Sequence, residues 1–364
     1  MVNRLVFENL KHRPVRTLLS AILIGVGVTM ILSLVGVSRG VTSDMSERSR
    51  GTGAEIVVFP PGSSVFNMSG ANMREEMVDL VRKEPHVALA TGTLIQKVGP
   101  LFQSIAGIHL DEFNAMSGGF RYVAGGPFTG PNELIVDEVQ ARTEHLKPGS
   151  ILDFGTKWRV TGVVESGKLS RMFAKIEPLQ EQYSQTGKIS VVWVKLDDPA
   201  NILAAKNALK DKFGDDYPVY SMDEMSSLLT SNNLPLIESF TKVVIGIAVV
   251  VGFLVVSLSM YTAVLERTRE IGILKALGAS PAYILGMLLR ETVLLALLGS
   301  IAGILMTYGA RFLLVTFAPT FPMVIAVKWW PTTTALALAG SLIGALLPGF
   351  KAAKQDAIEA LSYD

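Results

Sequence analysis

Four long runs without a charged residue govern what this chain can fold into: 17–38, 243–265, 292–310 and 329–350. A helix rises about 1.5 Å per residue, so about 20 apolar residues cross the hydrocarbon of a bilayer. In lipid every backbone polar group must bond within its own segment, so each run is expected to be a helix. Roughly two hundred residues of ordinary soluble character separate the first run from the second. One span, then a large insertion, then three spans predicts a membrane protein that holds a folded domain on one side.

The charge distribution supports this division. Segment 39–242 carries 21 Lys/Arg and 25 Asp/Glu of the chain's 33 and 32, which leaves 12 and 7 for everything else. The formal net charge of +1 is therefore a cancellation between an acidic middle and basic flanks. Cysteine is absent, which removes thiol catalysis, iron–sulfur clusters and cysteine zinc sites. The first run exceeds the 7–15 apolar residues of a secretory signal, and no Ala-x-Ala site follows. It is expected to remain as an anchor.

Lys and Arg placement predicts orientation. Arg4, Lys11, Arg13 and Arg16 precede the first span, Arg267, Arg269, Lys275 and Arg290 lie between the second and third, and Lys351 and Lys354 follow the fourth. The loop between the third and fourth spans holds only Lys328. Short basic loops stay in the cytoplasm, so both termini and loop 266–291 are expected inside and 39–242 outside. The expected layout is an amphipathic helix at 1–16, spans at 17–38, 243–265, 292–317 and 329–350, an external loop at 318–328 and a cytoplasmic tail at 351–364.

Within the large insertion, 54–59 (AEIVVF), 87–98 and 189–196 (ISVVWVKL) read as strands, with a short one beginning at Val219. Segment 72–83 has helical spacing through Met73, Met77, Leu80 and Val81, and 199–213 is a second helix. One β-α-β unit at each end predicts a split β-α-β subdomain. The turn-rich sequence between, about 99–188, with strands at 133–136, 151–154 and 158–164, predicts an inserted, mostly β subdomain. The fold class is thus a four-span α-helical membrane domain plus a large α+β extracytoplasmic domain. A helix over 226–240 is expected to lead into the second span, which runs on past the membrane without a break.

Several patterns are set aside. Residues 162–168 (GVVESGK) match a phosphate loop until Leu169, where Ser or Thr is required for Mg²⁺; a strand and turn are expected instead. The four histidines, His12, His86, His109 and His145, lack mutual metal spacing, and His109 beside Asp111 and Glu112 reads as an exposed polar turn. Arg311 is placed to snorkel at the end of the third span. Asn67-Met68-Ser69 is a glycosylation pattern that means nothing if the source is bacterial. No catalytic cluster, metal site or nucleic-acid-binding patch is read. Gly299 with Gly303, and Gly340 with Gly344, form two Gly-x-x-x-Gly pairs that permit close helix contact.

The most specific stretch is 266–280, ERTREIGILKALGAS. A stop-transfer flank needs only basic residues. This one has Glu266 and Glu270 placed for i,i+3 pairs with Arg269 and Arg267. The apolar stripe Ile271, Leu274, Leu277 follows, and then a break at Gly278 and a helix restart at Ser280-Pro281. Such a rigidly presented helix suits docking into a groove on a partner.

These residues resemble the E-R-x-R-E-I-G-x-x-K-A-x-G-A element of the MacB/FtsX-type ABC transporter permeases. The start 9–24 (NLKHRPVRTLLSAILI), the ending 348–361 (PGFKAAKQDAIEAL) and the run 133–167 are similar to the family as well. One departure is Ala357, where the family often has Pro. The resemblance implies the type VII, mechanotransmission architecture. A periplasmic core domain is made of two subdomains. A coupling helix at 276–284 stands on a stalk at 266–271. The implied contact residues are Glu266, Arg267, Arg269, Glu270, Ile271, Gly272, Lys275, Ala276, Leu277, Gly278, Ala279, Ser280, Pro281 and Ile284.

It also implies a pair of permease subunits, a homodimer being favoured, in lipid of a bacterial inner membrane, bound to two copies of a separate cytoplasmic ATPase. ATP and Mg²⁺ would sit on that partner, with no cofactor and no catalysis in this chain. Three outputs are compatible: export with a periplasmic adaptor, extraction of lipoproteins in the manner of LolC or LolE, and FtsX-like control of a cell-wall hydrolase. Export is expected first.

Overall fold

A computed structural model describes residues 14–63, 71–99, 103–228 and 235–354. The amphipathic helix expected over 1–16 falls almost entirely outside these residues, as do Asn67 and the tail from 355. The first helix, α1 (Pro14–Arg50), runs 12 residues beyond the first apolar run. It closes on Gly51 and on Gly53, whose φ of +75° is open to glycine at no steric cost. The chain separates into a helical unit (residues to 39, 235–316 and from 323) and an α/β unit (40–234 and 317–322), and α1 belongs to both.

The α/β unit follows α1 with β1 (Ile56–Val58), β2 (Met73–Arg74), α2 (Met77–Arg82), β3 (Val87–Lys97), β4 (Ser104–Ile108), α3 (Leu110–Ser117) and β5 (Tyr122–Gly125). Next come β6 (Glu133–Asp137), α4 (Glu138–Thr143), β7 (Ile151–Asp153), β8 (Lys157–Val164), β9 (Met172–Lys175) and α5 (Ile176–Gln182). The unit ends with β10 (Lys188–Ile189), β11 (Val191–Leu196), α6 (Ile202–Phe213), β12 (Val219–Ser221) and α7 (Met222–Leu228). Ten strands make one sheet in the order β12-β1-β11-β3-β4-β9-β6-β8-β5, with β7 also on β8.

Strand alternation decides the two faces. Ile56, Val58, Val192 and Val194 enter one core with Leu94, Ile105, Leu134 and Trp158. Val57, Phe59, Val191 and Trp193 enter another with Met116, Met222 and Met225.

Segment 99–188 does not form a sheet of its own. The 11-residue β3 pairs with β11 through Val87–Thr93 and with β4 through Thr93–Lys97, so one strand serves both halves. The segment also carries three short helices. Phe113 and Met116 of α3, and Ile176 and Leu179 of α5, are fully buried and cover sheet faces that strands alone leave open. The helix expected from 72 starts only at Met77, because Met73–Arg74 pairs with β10 and Asn72 Oδ1 accepts from the Ser190 hydroxyl at 2.9 Å.

In the helical unit, α8 (Pro235–Glu266), α9 (Thr268–Ala276), α10 (Pro281–Phe317) and α11 (Trp330–Lys354) complete the chain. Among the described residues, four helices are long and apolar enough to cross a membrane: Thr17–Arg50, Ser239–Glu266, Pro281–Phe317 and Val327–Lys354. Two expectations change here. The helix expected over 226–240 is divided between α7 and α8, with 229–234 outside the described residues. The second span does not run on unbroken: Arg267, at φ −116° and ψ 16°, separates α8 from α9.

Candidate functional site

The segment between the second and third spans folds into a sharp corner whose caps are all local. Leu277 is the C-cap of α9. The Gly278 N–H donates to Lys275 O at 2.9 Å and the Ala279 N–H to Leu274 O at 2.9 Å, the paired bonds of a Schellman ending. Gly278 sits at φ +94°, where a β-carbon would be strained. Ser280 then caps α10 at once: its Oγ accepts from the Tyr283 N–H at 3.2 Å, and Pro281 takes the first helical position, which needs no N–H donor. Consecutive stop and start signals leave no slack.

The corner sorts the expected contact residues into two sets. Glu266, Arg269, Glu270, Ala276, Leu277, Gly278, Ser280 and Pro281 are exposed, and Lys275 and Ala279 are half-buried. Leu277 is 79% exposed at the tip, with Ile273 and Tyr283 exposed beside it. Internal packing gives no reason for an apolar tip on a structured corner, which is what a contact surface has. Arg267, Ile271, Gly272 and Ile284 face inward. Ile271 and Ile284 enter one cluster with Val256, Met260 and Val264 of α8, Leu288 of α10, and Ala345 and Ala352 of α11.

Arg267 corrects the sequence reading. The i,i+3 spacing points it at Glu270, but its guanidinium turns into the protein and donates to Glu291 Oε2 at 3.3 Å. Their side chains are 7% and 1% exposed. Sequence reasoning missed Glu291, although an acidic residue abutting an apolar run is itself a signal that a partner waits elsewhere.

Both Gly-x-x-x-Gly pairs lie at helix contacts. A β-carbon on Gly299 would stand 2.7 Å from Ile24 Cβ, and one on Gly303 would stand 2.6 Å from Val28 Cβ and 2.7 Å from Gly25 O. Contacts that advance together along α1 and α10 make the pair parallel. The Thr29 hydroxyl donates across it to Gly303 O at 3.0 Å. Gly340 and Gly344 bring α11 against α8, where β-carbons would lie 3.3 Å from Val249 O and 2.6 Å from Phe253 O. The α1 side was missed, yet Ala21, Gly25 and Thr29 repeat the four-residue spacing of Gly299, Gly303 and Thr307.

The α/β unit holds polar clusters of a different kind. Lys168, last of the phosphate-loop look-alike, donates to Ser117 O at 2.6 Å, and desolvation lowers its pKa. The pattern is a strand followed by a turn. His109 is half-buried and makes a 2.6 Å contact with Glu75. It borders an open cleft of about 490 Å³ that is also lined by Asp111, Glu112, Phe128 and Lys175. Asp137 accepts from the Gln140 N–H at 2.7 Å, capping α4. It faces Arg171 at 3.5 Å, Arg171 reaches Asp44 of α1 at 3.2 Å, and Asp44 also binds Arg48 at 3.0 Å. Burial raises the Asp137 pKa. This network ties the last turns of α1 to the sheet.

Comparison with known proteins agrees with this two-part construction. Residues 17–212 match the MacB-like periplasmic core domain, and residues 242–357 match the FtsX-like permease C-terminal domain. The chain is 26% identical to the uncharacterized ABC transporter permease YvrN of Bacillus subtilis, over 99% of each chain. It is 34% identical to the permease YknZ of the same organism, over 58% of this chain and 53% of that one. It is 27% identical to the macrolide export ATP-binding/permease protein MacB of Burkholderia cenocepacia, over 97% of this chain and 56% of that one. The core-domain match covers more than half of the sequence and the permease match falls on the helices that carry the corner: the chain belongs to the MacB/FtsX-type ABC transporter permeases, multi-pass proteins of the inner membrane.

Proposed function

We infer that the corner around Leu277 receives force from a separate ATPase and that the α/β unit on the opposite face of the membrane is the moving output. Membership of the permease family implies an ATPase partner. The observation that carries the docking assignment is Leu277, 79% exposed on a corner capped at both helix ends. Basic residues at Arg269, Lys275, Arg290, Lys351 and Lys354 support placing this corner in the cytoplasm. Two permease subunits, a homodimer, would bind two ATPase copies, and closure of the ATPases on ATP would press the corners. The runs 17–38, 243–265, 292–310 and 329–350 hold no charged residue, which favours transmission of movement over passage of a charged substrate between them. Export with a periplasmic adaptor is the favoured output; the MacB relative is named for macrolide export.

The test is co-purification of the full chain with its cognate ABC ATPase. Leu277→Asp places a charge on the apolar tip and is expected to abolish co-purification. Gly272→Leu, at a buried position beneath the corner, is expected to keep the ATPase bound while lowering its transport-coupled hydrolysis at least about tenfold. Retention of the ATPase by Leu277→Asp with unchanged hydrolysis refutes the docking assignment.

A further inference from the structure

The path from the second span to the corner passes through one residue that is not helical. Arg267 leaves the helix, its N–H retreating to a three-residue bond with Val264 O at 3.1 Å. The Thr268 hydroxyl bonds the Val264 and Leu265 carbonyls at 3.1 and 3.0 Å, so the interruption is satisfied and local. An interruption between two helices is where a lever bends, since no continuous i→i−4 ladder crosses it. At this residue the chain places a buried charge and meets it with Glu291, 24 residues later and on the far side of the corner.

We propose that the Arg267–Glu291 ion pair is a strut that locks the interruption, so that the corner moves as one body with the second and third spans; both are positioning residues. Three features support this. The pair closes the base of the hairpin formed by α9 and the first turns of α10, while Ile271 and Ile284 fill the space above it. It is almost fully withdrawn from solvent, where an ion pair is held by geometry and not loosened by screening. Buried pairs are also weak contributors to net stability but effective at fixing one arrangement among alternatives, which is what a joint requires.

The experiment uses the full chain in lipid nanodiscs, without ATPase. The absence of native cysteine allows two spin labels to be placed cleanly, at Leu258→Cys on α8 and Ile273→Cys on α9, both exposed. Fifteen residues of near-continuous helix put them about 22 Å apart. The native chain should give one narrow distance distribution. Arg267→Met and Glu291→Gln should each widen it at least about twofold, while Arg267→Lys and Glu291→Asp, which keep the charges, should stay near the native width. If either single variant fails to insert, Arg267→Met with Glu291→Met, which leaves no buried charge, carries the same test and should also be wide. Native width in Arg267→Met, Glu291→Gln or that double variant overturns the strut, as does equal broadening by Arg267→Lys and Arg267→Met. The relevance of the strut to force transmission rests on the docking role inferred above. The width is read with no ATPase present, so failure of docking and failure of the strut are separate results.

Discussion

Gly303→Ala should weaken the helical unit even though alanine is the better helix former. On propensity alone the substitution gains about 0.8–1 kcal/mol. Against this, the added β-carbon would sit 2.6 Å from Val28 Cβ and 2.7 Å from both Val28 Cγ1 and Gly25 O. Carbon contacts are comfortable at about 3.5–4 Å, so α1 and α10 must part by about 1 Å. Neither the Gly25 carbonyl nor a β-branched valine can swing aside. Overpacking of this kind costs about 1–3 kcal/mol. The parting also stretches the 3.0 Å bond from the Thr29 hydroxyl to Gly303 O, and an interhelical bond in a membrane is worth about 0.6 kcal/mol. The net expectation is a loss of about 1–2 kcal/mol.

The control is Gly309→Ala in the same helix. No atom lies within 4 Å of a β-carbon there, so it should be neutral or stabilise by up to about 1 kcal/mol. Denaturation by SDS in mixed micelles, followed by circular dichroism at the helix band, measures both. If the two variants unfold within about 0.5 kcal/mol of each other, the close-contact argument is wrong.

Three further outcomes follow from particular residues. Gly278→Val imposes a β-branched residue at φ +94°, at a local cost of about 1–2 kcal/mol; it should loosen the corner and lower ATPase co-purification, while Gly278→Asn is tolerated better. Asp137→Ala leaves the largely buried Arg171 without this carboxylate and removes the cap of α4. A loss of about 3 kcal/mol is expected in urea denaturation followed by fluorescence of Trp158 and Trp193, both fully buried. Glu133 is held at about 2, below its ordinary 4.5, by the N–H groups of Gly130 and Thr129 and then by Arg159. Its folded pKa is depressed, so its stabilisation is complete above about 4.5 and is lost as pH falls towards 2. Arg159 is 64% exposed, so screening holds the effect to about 1–2 kcal/mol. Glu133→Gln should flatten that part of the acid-denaturation curve, and an unchanged curve would count against the assignment.

Much of this molecule was legible because its signals are one-dimensional. Hydropathy over 20 residues marks a span whatever the span packs against. The corner at 277–281 was equally readable, since Gly278, Ser280 and Pro281 act through bonds that reach no further than five residues. Short apolar runs at 54–59 and 189–196 marked strands, and the structure buries both on two faces. What failed were readings that depend on distant partners. Helical spacing at 72–76 lost to strand pairing with β10, and the unbroken second span lost to an arginine that leaves the helix to reach Glu291.

The sequence by itself therefore determined the spans, the insertion and the capped corner, because composition and short-range bonds suffice for each. Only the tertiary structure decided which helices touch: α1 with α10 through Gly25 and Gly303, and α8 with α11 through Gly344. It alone showed that β3 joins the two halves of the α/β unit into one sheet, and that Arg267 faces Glu291 and not Glu270, three residues on. The physical reason is common to all three. Close approach, strand pairing and burial of charge are settled by atoms brought together from separate parts of the chain, and no local pattern records which parts those are.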